Sequence, residues 1–285
     1  MAPAKASNHI GMTGWGMTGW GMTGWGMTGW LSVITVLLSV CGCGHTTTYP
    51  GLLPSESERQ ARAAAAGPDS ALKVARATHQ SGDLAASIQL YRTLVGNGSV
   101  APEVVVEFGD VLVESGSPDE AIDIYSQIDA RSPARLGALL GMTRAYLNLG
   151  DPVKALNYAE EALVLAPRDA RVLIDKAVAL DSLGRHAEAQ ALYRGVLSVT
   201  PRHVAARNDL ALSLALTGQY DEAIALIGPL VRSSTATPRE RENLAIIYGL
   251  MGDGDRATML SRVDLDEGTT QANLAFLAAV RGTKP

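Results

Sequence analysis

Two cysteines carry the most reactive side chains of this 285-residue chain, and both lie near its amino terminus. Cys41 and Cys43 follow a largely apolar run, LSVITVLLSV at residues 31–40. The run is too short for a transmembrane helix, which needs ~20 residues, but it has the length of a signal-peptide core, roughly 7–15 residues. A thiol placed directly after such a run predicts modification during export.

The segment around the two cysteines resembles the lipoprotein signal of bacteria, in which a small residue precedes the cysteine that receives lipid. Cys43 fits this pattern best because Gly42 precedes it. Cys41 is the alternative lipidation site, but the branched Val40 stands before it. By the same resemblance, Gly44 rather than aspartate after Cys43 implies retention in the outer membrane, on its periplasmic face.

Residues of the types used in catalysis and metal binding are present but scattered. The acidic pairs Asp119-Glu120 and Asp221-Glu222 fall at the expected start of helices, where carboxylates favour the helix dipole. No phosphate-binding, dinucleotide-binding or serine-nucleophile motif occurs. We therefore predict a non-enzymatic protein without metal or cofactor. The five histidines show no metal-ligand spacing and lie at His9, His45, His79, His186 and His203.

The charge of the chain excludes another class of partner. The formal net charge is −5, and lysine and arginine form no basic stripe. Nucleic-acid binding proteins neutralise phosphates with clustered basic residues. Nucleic acid is therefore not an expected partner.

A strict spacing of glycines organises the rest of the chain. Six glycines recur at intervals of 34 residues, which is the period of a helix–turn–helix repeat. Glycine adopts the left-handed conformation that ends one helix and starts the turn. These predicted turn glycines are Gly82, Gly116, Gly150, Gly184, Gly218 and Gly252.

Other positions of the repeat vary in step with the glycines. Small residues are expected where the two helices cross, at positions 8 and 20 of each 34-residue frame, and a large residue is expected at position 24. This combined pattern over residues 68–271 resembles the tetratricopeptide-repeat family. The resemblance implies an all-α, right-handed superhelical solenoid of about six repeats with a C-terminal capping helix. Tyrosines stand at position 24 in three frames, as Tyr91, Tyr125 and Tyr193.

The chain divides into four predicted parts. Residues 1–43 form the lipoprotein signal region, which includes four GMTGW low-complexity repeats at 11–30. Residues 44–67 are a flexible tether, rich in proline and glycine at its start. Residues 68–271 hold six repeats, and residues 272–285 form the capping helix and tail.

The family resemblance also implies where a partner protein binds. In this family, the first helix of each repeat lines a concave groove, mainly at positions 2, 5, 9, 12 and 13. A strip of apolar residues with polar edges suits the binding of a partner helix or extended segment. The alternative is that some of these residues pack against neighbouring helices of the array. The predicted groove residues are Leu140, Arg144, Leu147, Arg171, Ile174, Val178, Asp181, Asn208, Leu212, Leu216 and Ile246.

The last third of the array carries a narrower resemblance. Residues 242–282 resemble TadD, a family of repeat lipoproteins from tight-adherence (Flp) pilus systems. That resemblance implies a lipid-anchored scaffold that assists assembly or localisation of the pilus secretin. The alternative is a general envelope adaptor that recruits peptidoglycan enzymes or serves outer-membrane protein assembly.

Overall fold

A computed structural model describes residues 67–98 and 100–282, and in this part of the chain it contains α-helices and no strands. The predicted signal region and nearly all of the predicted tether lie outside the described residues. The helices are α1 (Pro68–Gln80), α2 (Leu84–Gly96), α3 (Pro102–Glu114), α4 (Pro118–Ser126), α5 (Arg135–Asn148), α6 (Pro152–Leu165), α7 (Ala170–Ser182), α8 (His186–Val199), α9 (Val204–Leu216), α10 (Tyr220–Val231), α11 (Pro238–Met251), α12 (Gly254–Ser261) and α13 (Glu267–Gly282).

Two compact units make up the described chain. One unit contains the α1–α2 hairpin and ends at residue 100, and the other begins at residue 101. Within the second unit, α3 to α12 form five helical hairpins, and each helix packs against the next along the chain. None of the described helices is both long enough and apolar enough to cross a membrane.

The turn inside each hairpin depends on backbone conformation and on a side-chain cap. All six repeat glycines have positive φ, from 73° at Gly150 to 99° at Gly252. In three hairpins the aspartate after the glycine accepts a hydrogen bond from the backbone N–H three residues on, at 3.0 Å. This cap satisfies one of the free N–H groups at the start of the second helix. The capping residues are Asp83, Asp151 and Asp253.

A pair of glycine substitutions separates the turn requirement from ordinary helix propensity. Gly184 has φ 75°, and nothing lies within 4 Å of a Cβ built on it, so Gly184→Ala is expected to lower the free energy of unfolding by about 1–2 kcal/mol through backbone strain alone. Gly195, inside α8, has equally open surroundings and no positive φ. Gly195→Ala is therefore expected to raise stability by about 0.5–1 kcal/mol. Chemical denaturation followed by circular dichroism checks both, and equal effects of the two changes would contradict this account.

Close helix crossing and large buried tyrosines hold the hairpins together. In the first hairpin, the Ser87 hydroxyl at position 20 donates a 3.1 Å hydrogen bond to the carbonyl of Ala75 at position 8. Both residues are fully buried, as the small size of their side chains permits. The position-24 residues Tyr91, Tyr125 and Tyr193 are also buried. The small positions therefore let the helices approach, and the large ones fill the space beside the crossing.

The C-terminal helix begins earlier than the sequence pattern predicts. Helix α13 starts at Glu267 instead of residue 272, because Asp266 caps it by accepting a 2.9 Å hydrogen bond from the backbone N–H of Thr269. Leu277 of α13 is buried against Gly249 of α11, where a larger side chain would overlap it. Helix α13 thus covers apolar surface of the last hairpin.

Candidate functional site

The first helices of successive repeats, α3, α5, α7, α9 and α11, contact one another along the second unit. Each of them also packs against the second helix of its own hairpin. The side chains that these five helices present away from their hairpin partners form a surface that we call the first-helix surface. All the predicted groove residues lie on α5, α7, α9 and α11.

Three predicted groove residues are buried inside the array. Leu140, Ile174 and Asn208 stand at the same repeat position, and they are 4 %, 7 % and 2 % exposed. Leu140 belongs to an apolar cluster with Leu139 and Val172, which joins α5 to α7. At these three positions the side chains lie inside the array and not in an open groove, which corresponds to the alternative that the sequence left open, packing against neighbouring helices.

The other apolar groove residues are only half buried. Each packs with one side against the main core cluster and keeps part of its surface in solvent. They spread over α5, α7, α9 and α11, so they form a partly exposed apolar band along the surface. This apolar lane consists of Leu147, Val178, Leu212, Leu216 and Ile246.

Arg144 belongs to a network that joins α3, α4 and α5. Its Nη2 donates to Asp110 Oδ1 at 3.0 Å, and the Tyr125 hydroxyl donates to the same oxygen at 2.7 Å. Burial, with the nearby Asp110 carboxylate, raises the pKa of Tyr125 far above its usual range, so the hydroxyl stays protonated. Arg144 therefore anchors two repeats to each other and presents only part of its charge to solvent.

Arg171 folds back onto the start of its own helix. Its guanidinium reaches Asp169 at 2.6 Å, and Asp169 also accepts from the backbone N–H of Arg171 at 2.8 Å. These bonds, chiefly the one from the Arg171 side chain, lower the pKa of Asp169. The predicted groove residue Arg171 is exposed, but its charge is already paired with the N-cap of α7.

Asp181 on α7 makes polar contacts with residues of α8 and α9. Its Oδ1 accepts from Ser213 Oγ and from His186 Nδ1, both at 2.8 Å, and the Tyr193 hydroxyl also bonds to the Asp181 side chain. Burial is the main cause that raises the pKa of Tyr193 well above its usual range. Serine and histidine each bond the aspartate instead of each other, so this cluster lacks the nucleophile–base contact of a hydrolase.

A second carboxylate lies deeper, on α9. Asp209 Oδ1 accepts from Arg239 Nη2 of α11 at 3.1 Å and from Asn208 Nδ2 at 3.4 Å. Burial raises the pKa of Asp209, and the positive charge of Arg239 opposes that rise. The buried Asn208 Oδ1 has no hydrogen-bond partner among the described residues. Leaving such an acceptor unpaired normally costs about 1–3 kcal/mol.

Asp175 on α7 differs from the other aspartates of this surface. It is half buried, and within residues 67–98 and 100–282 it makes no hydrogen bond or ion pair. The pKa of Asp175 is raised to about 7, chiefly by burial; the charges of Asp209 and Asp110 add to the rise, and those of Arg144 and Arg171 oppose it. Near neutral pH this carboxyl group exists in both protonation states.

Sequence reasoning missed three of the acidic residues on the first helices. Asp110, Asp175 and Asp209 lie on three different first helices, and Arg239 on a fourth. The sequence does contain a pattern that could have identified two of them. Asp175 and Asp209 are 34 residues apart, so they occupy the same position, position 6, of adjacent repeats. Across the described part of the chain, no group of three or more histidine, cysteine, aspartate or glutamate side chains is arranged to hold a metal ion.

Comparison with known proteins agrees with this architecture. Two family models, both described as tetratricopeptide repeat, match residues 75–135 and 174–227 in one case and 112–173 in the other. The matches run without a gap from residue 75 to residue 227, more than half of the chain. The chain therefore belongs to the tetratricopeptide-repeat family, whose arrays are scaffolds for protein–protein interaction and are in general not enzymes.

Solved structures share the fold at low sequence identity. A tetratricopeptide repeat protein from Parabacteroides merdae is 15 % identical with a TM-score of 0.63, over 74 % of this chain and 84 % of that chain. A chain of the APC/C hetero-tetramer Cut9–Hcn1 is 16 % identical with a TM-score of 0.63, over 78 % of this chain but only 44 % of that one. At such identities the likeness is one of fold alone. No curated protein sequence matches the chain significantly.

Proposed function

We propose that this protein is an outer-membrane lipoprotein scaffold that assists the assembly or localisation of a tight-adherence (Flp) pilus machine, with the secretin as its partner. The observation that carries the binding role is the apolar lane, which leaves half-buried leucine, valine and isoleucine side chains open along four consecutive first helices. A partner helix or extended segment laid along the lane would bury them.

The location and the partner rest on sequence features. The apolar run at residues 31–40 and the Gly42-Cys43 pair support export and lipid attachment. The resemblance of residues 242–282 to the TadD family supports the pilus machine. We expect the predicted tether to hold the array clear of the lipid headgroups, since a flexible chain of about 25 residues has a root-mean-square reach of roughly 25–30 Å.

Secretin assembly tests the proposed partner. In a strain that lacks this protein, we expect fewer secretin multimers in the outer membrane, and we expect the intact protein to co-purify with the secretin from detergent extracts. Normal secretin multimers without the protein would contradict the pilus role. Co-purification with peptidoglycan enzymes or with outer-membrane assembly proteins instead would favour the general envelope adaptor.

Lipid attachment has a test of its own. Cys43→Ala is expected to abolish labelling by a radioactive fatty acid and to release the protein from the membrane, because the thiol that would carry the lipid is removed. The control Cys41→Ala is expected to keep both lipid and membrane attachment, and the reverse result would move the site to Cys41. Cleavage before Cys43 also removes all four tryptophans, which lie within residues 11–30, so the mature protein should lack indole fluorescence.

A further inference from the structure

We propose that Asp175 is the position at which a lysine or arginine side chain of the partner protein binds, where α7 and α9 meet on the first-helix surface. The inference rests on the proposed scaffold function and adds the chemistry of the partner. Two kinds of observation carry it: the pairing of the charges, and the apolar lane on either side.

The arginine side chains near Asp175 form ion pairs with other aspartates. Arg144 is paired with Asp110, and Arg239 with Asp209. Arg171 is paired with Asp169, the N-cap of its own helix. These three guanidinium groups therefore leave Asp175 as a carboxylate without an ion pair in the described chain. A positive charge on a bound partner would pair with the ionised form of Asp175.

The chemistry of basic side chains suits the Asp175 carboxylate. Lysine carries three N–H donors and arginine five, and neither has an acceptor. A donor-only side chain is thus the kind of group that pairs with the Asp175 carboxylate.

The surroundings favour a protein side chain over a free cation. The described residues offer no metal-holding group, and a metal ion would need several oxygen ligands turned toward one point. Val178 follows Asp175 by one turn on α7, and Leu212 stands on the neighbouring α9, both half buried in the apolar lane. A partner segment with apolar residues on either side of one basic residue matches this arrangement.

The test uses peptides as probes for the full-length chain purified in detergent. Peptides selected from a random phage-displayed library on the wild-type protein are expected to share one lysine or arginine next to apolar residues. For a selected lysine peptide, Asp175→Asn is expected to weaken binding about tenfold, as measured by fluorescence anisotropy. The same peptide with norleucine in place of lysine is expected to bind the wild type and Asp175→Asn equally.

Two control variants distinguish a failure of the Asp175 proposal from a failure of the scaffold proposal. Asp123→Asn removes the same charge from an exposed position on α4 and is expected to leave binding unchanged. Leu212→Arg places a charge in the apolar lane and is expected to abolish binding of every selected peptide. If Leu212→Arg abolishes binding but Asp175→Asn does not weaken it, the lysine position is wrong and the scaffold role stands. If no selected peptide depends on Leu212, or none is selected, both proposals are overturned.

Discussion

Replacing Tyr125 with alanine is expected to lower the free energy of unfolding by about 3–5 kcal/mol, the largest effect we expect from a single substitution in the array. The Tyr125 side chain is fully buried, and its hydroxyl bonds to Asp110, which also binds Arg144. Removing the ring leaves a cavity between α3, α4 and α5 and takes one donor from a carboxylate that joins two repeats. Chemical denaturation followed by circular dichroism measures the loss.

A double-mutant cycle tests whether the ring itself sets the spacing of the helices. A Cβ added at Gly141 of α5 would overlap the Tyr125 ring, as would one at Gly109 of α3. Gly141→Ala is therefore expected to destabilise the wild type by about 1–3 kcal/mol and to have almost no unfavourable effect in the Tyr125→Ala background. Equal effects in both backgrounds would show that the ring does not occupy this space.

The matched control Tyr125→Phe keeps the ring and removes only the hydroxyl. We expect it to lower stability by about 1 kcal/mol, since one hydrogen bond to a carboxylate is lost while the packing remains. A loss as large as that of Tyr125→Ala would mean that the polar network, and not the ring, holds these three helices together.

Asp175→Asn is expected to stabilise the protein at pH 8 by roughly 1–3 kcal/mol and to have little effect at pH 4. The pKa of Asp175 rises from 3.8 to about 7 in the folded protein, mainly because of burial, with Asp209 and Asp110 adding to the rise. The folded state therefore holds a proton more tightly than the unfolded state does. The ionised carboxylate destabilises the fold progressively between about pH 4 and pH 7, and its replacement by asparagine removes that penalty.

Denaturation at several pH values checks this prediction. The wild-type and Asp175→Asn stabilities should converge as the pH falls toward 4, and the exposed Asp123→Asn control should show no comparable pH-dependent gain. A constant difference over the whole range would mean that the effect of Asp175 is not one of ionisation. A stabilising change that also weakens peptide binding is what we expect of a residue retained for binding.

Short-range features of the fold were predictable because they depend on local backbone chemistry. The turn at Gly184 requires a left-handed conformation, and the caps at Asp83, Asp151 and Asp253 need only a carboxylate beside a free helix N–H. Both requirements can be recognised in the sequence, because the glycine and the aspartate after it recur at fixed positions of the 34-residue repeat. The start of α13 was missed by several residues because it depends on the Asp266 cap, which lies outside the repeat pattern.

The binding surface was only partly predictable. The register assigned Arg144, Arg171 and Asp181 to the groove, but it could not tell that each charge is already bonded within the protein. It also assigned Leu140 to an open lining, whereas the neighbouring first helix covers it. Such pairings depend on distances between helices, and a repeat period carries no information about those.

By itself, the sequence determined the all-helical class, the period of the hairpins and the side chains that face their crossings, because each follows from spacing and local propensity. Only the tertiary structure decided which polar groups remain unsatisfied. Asp175 lacks an ion pair because Arg144 turns to Asp110 and Arg171 turns to its own helix terminus. Charges on neighbouring helices compete for the same partners, and the three-dimensional packing decides which pairs form.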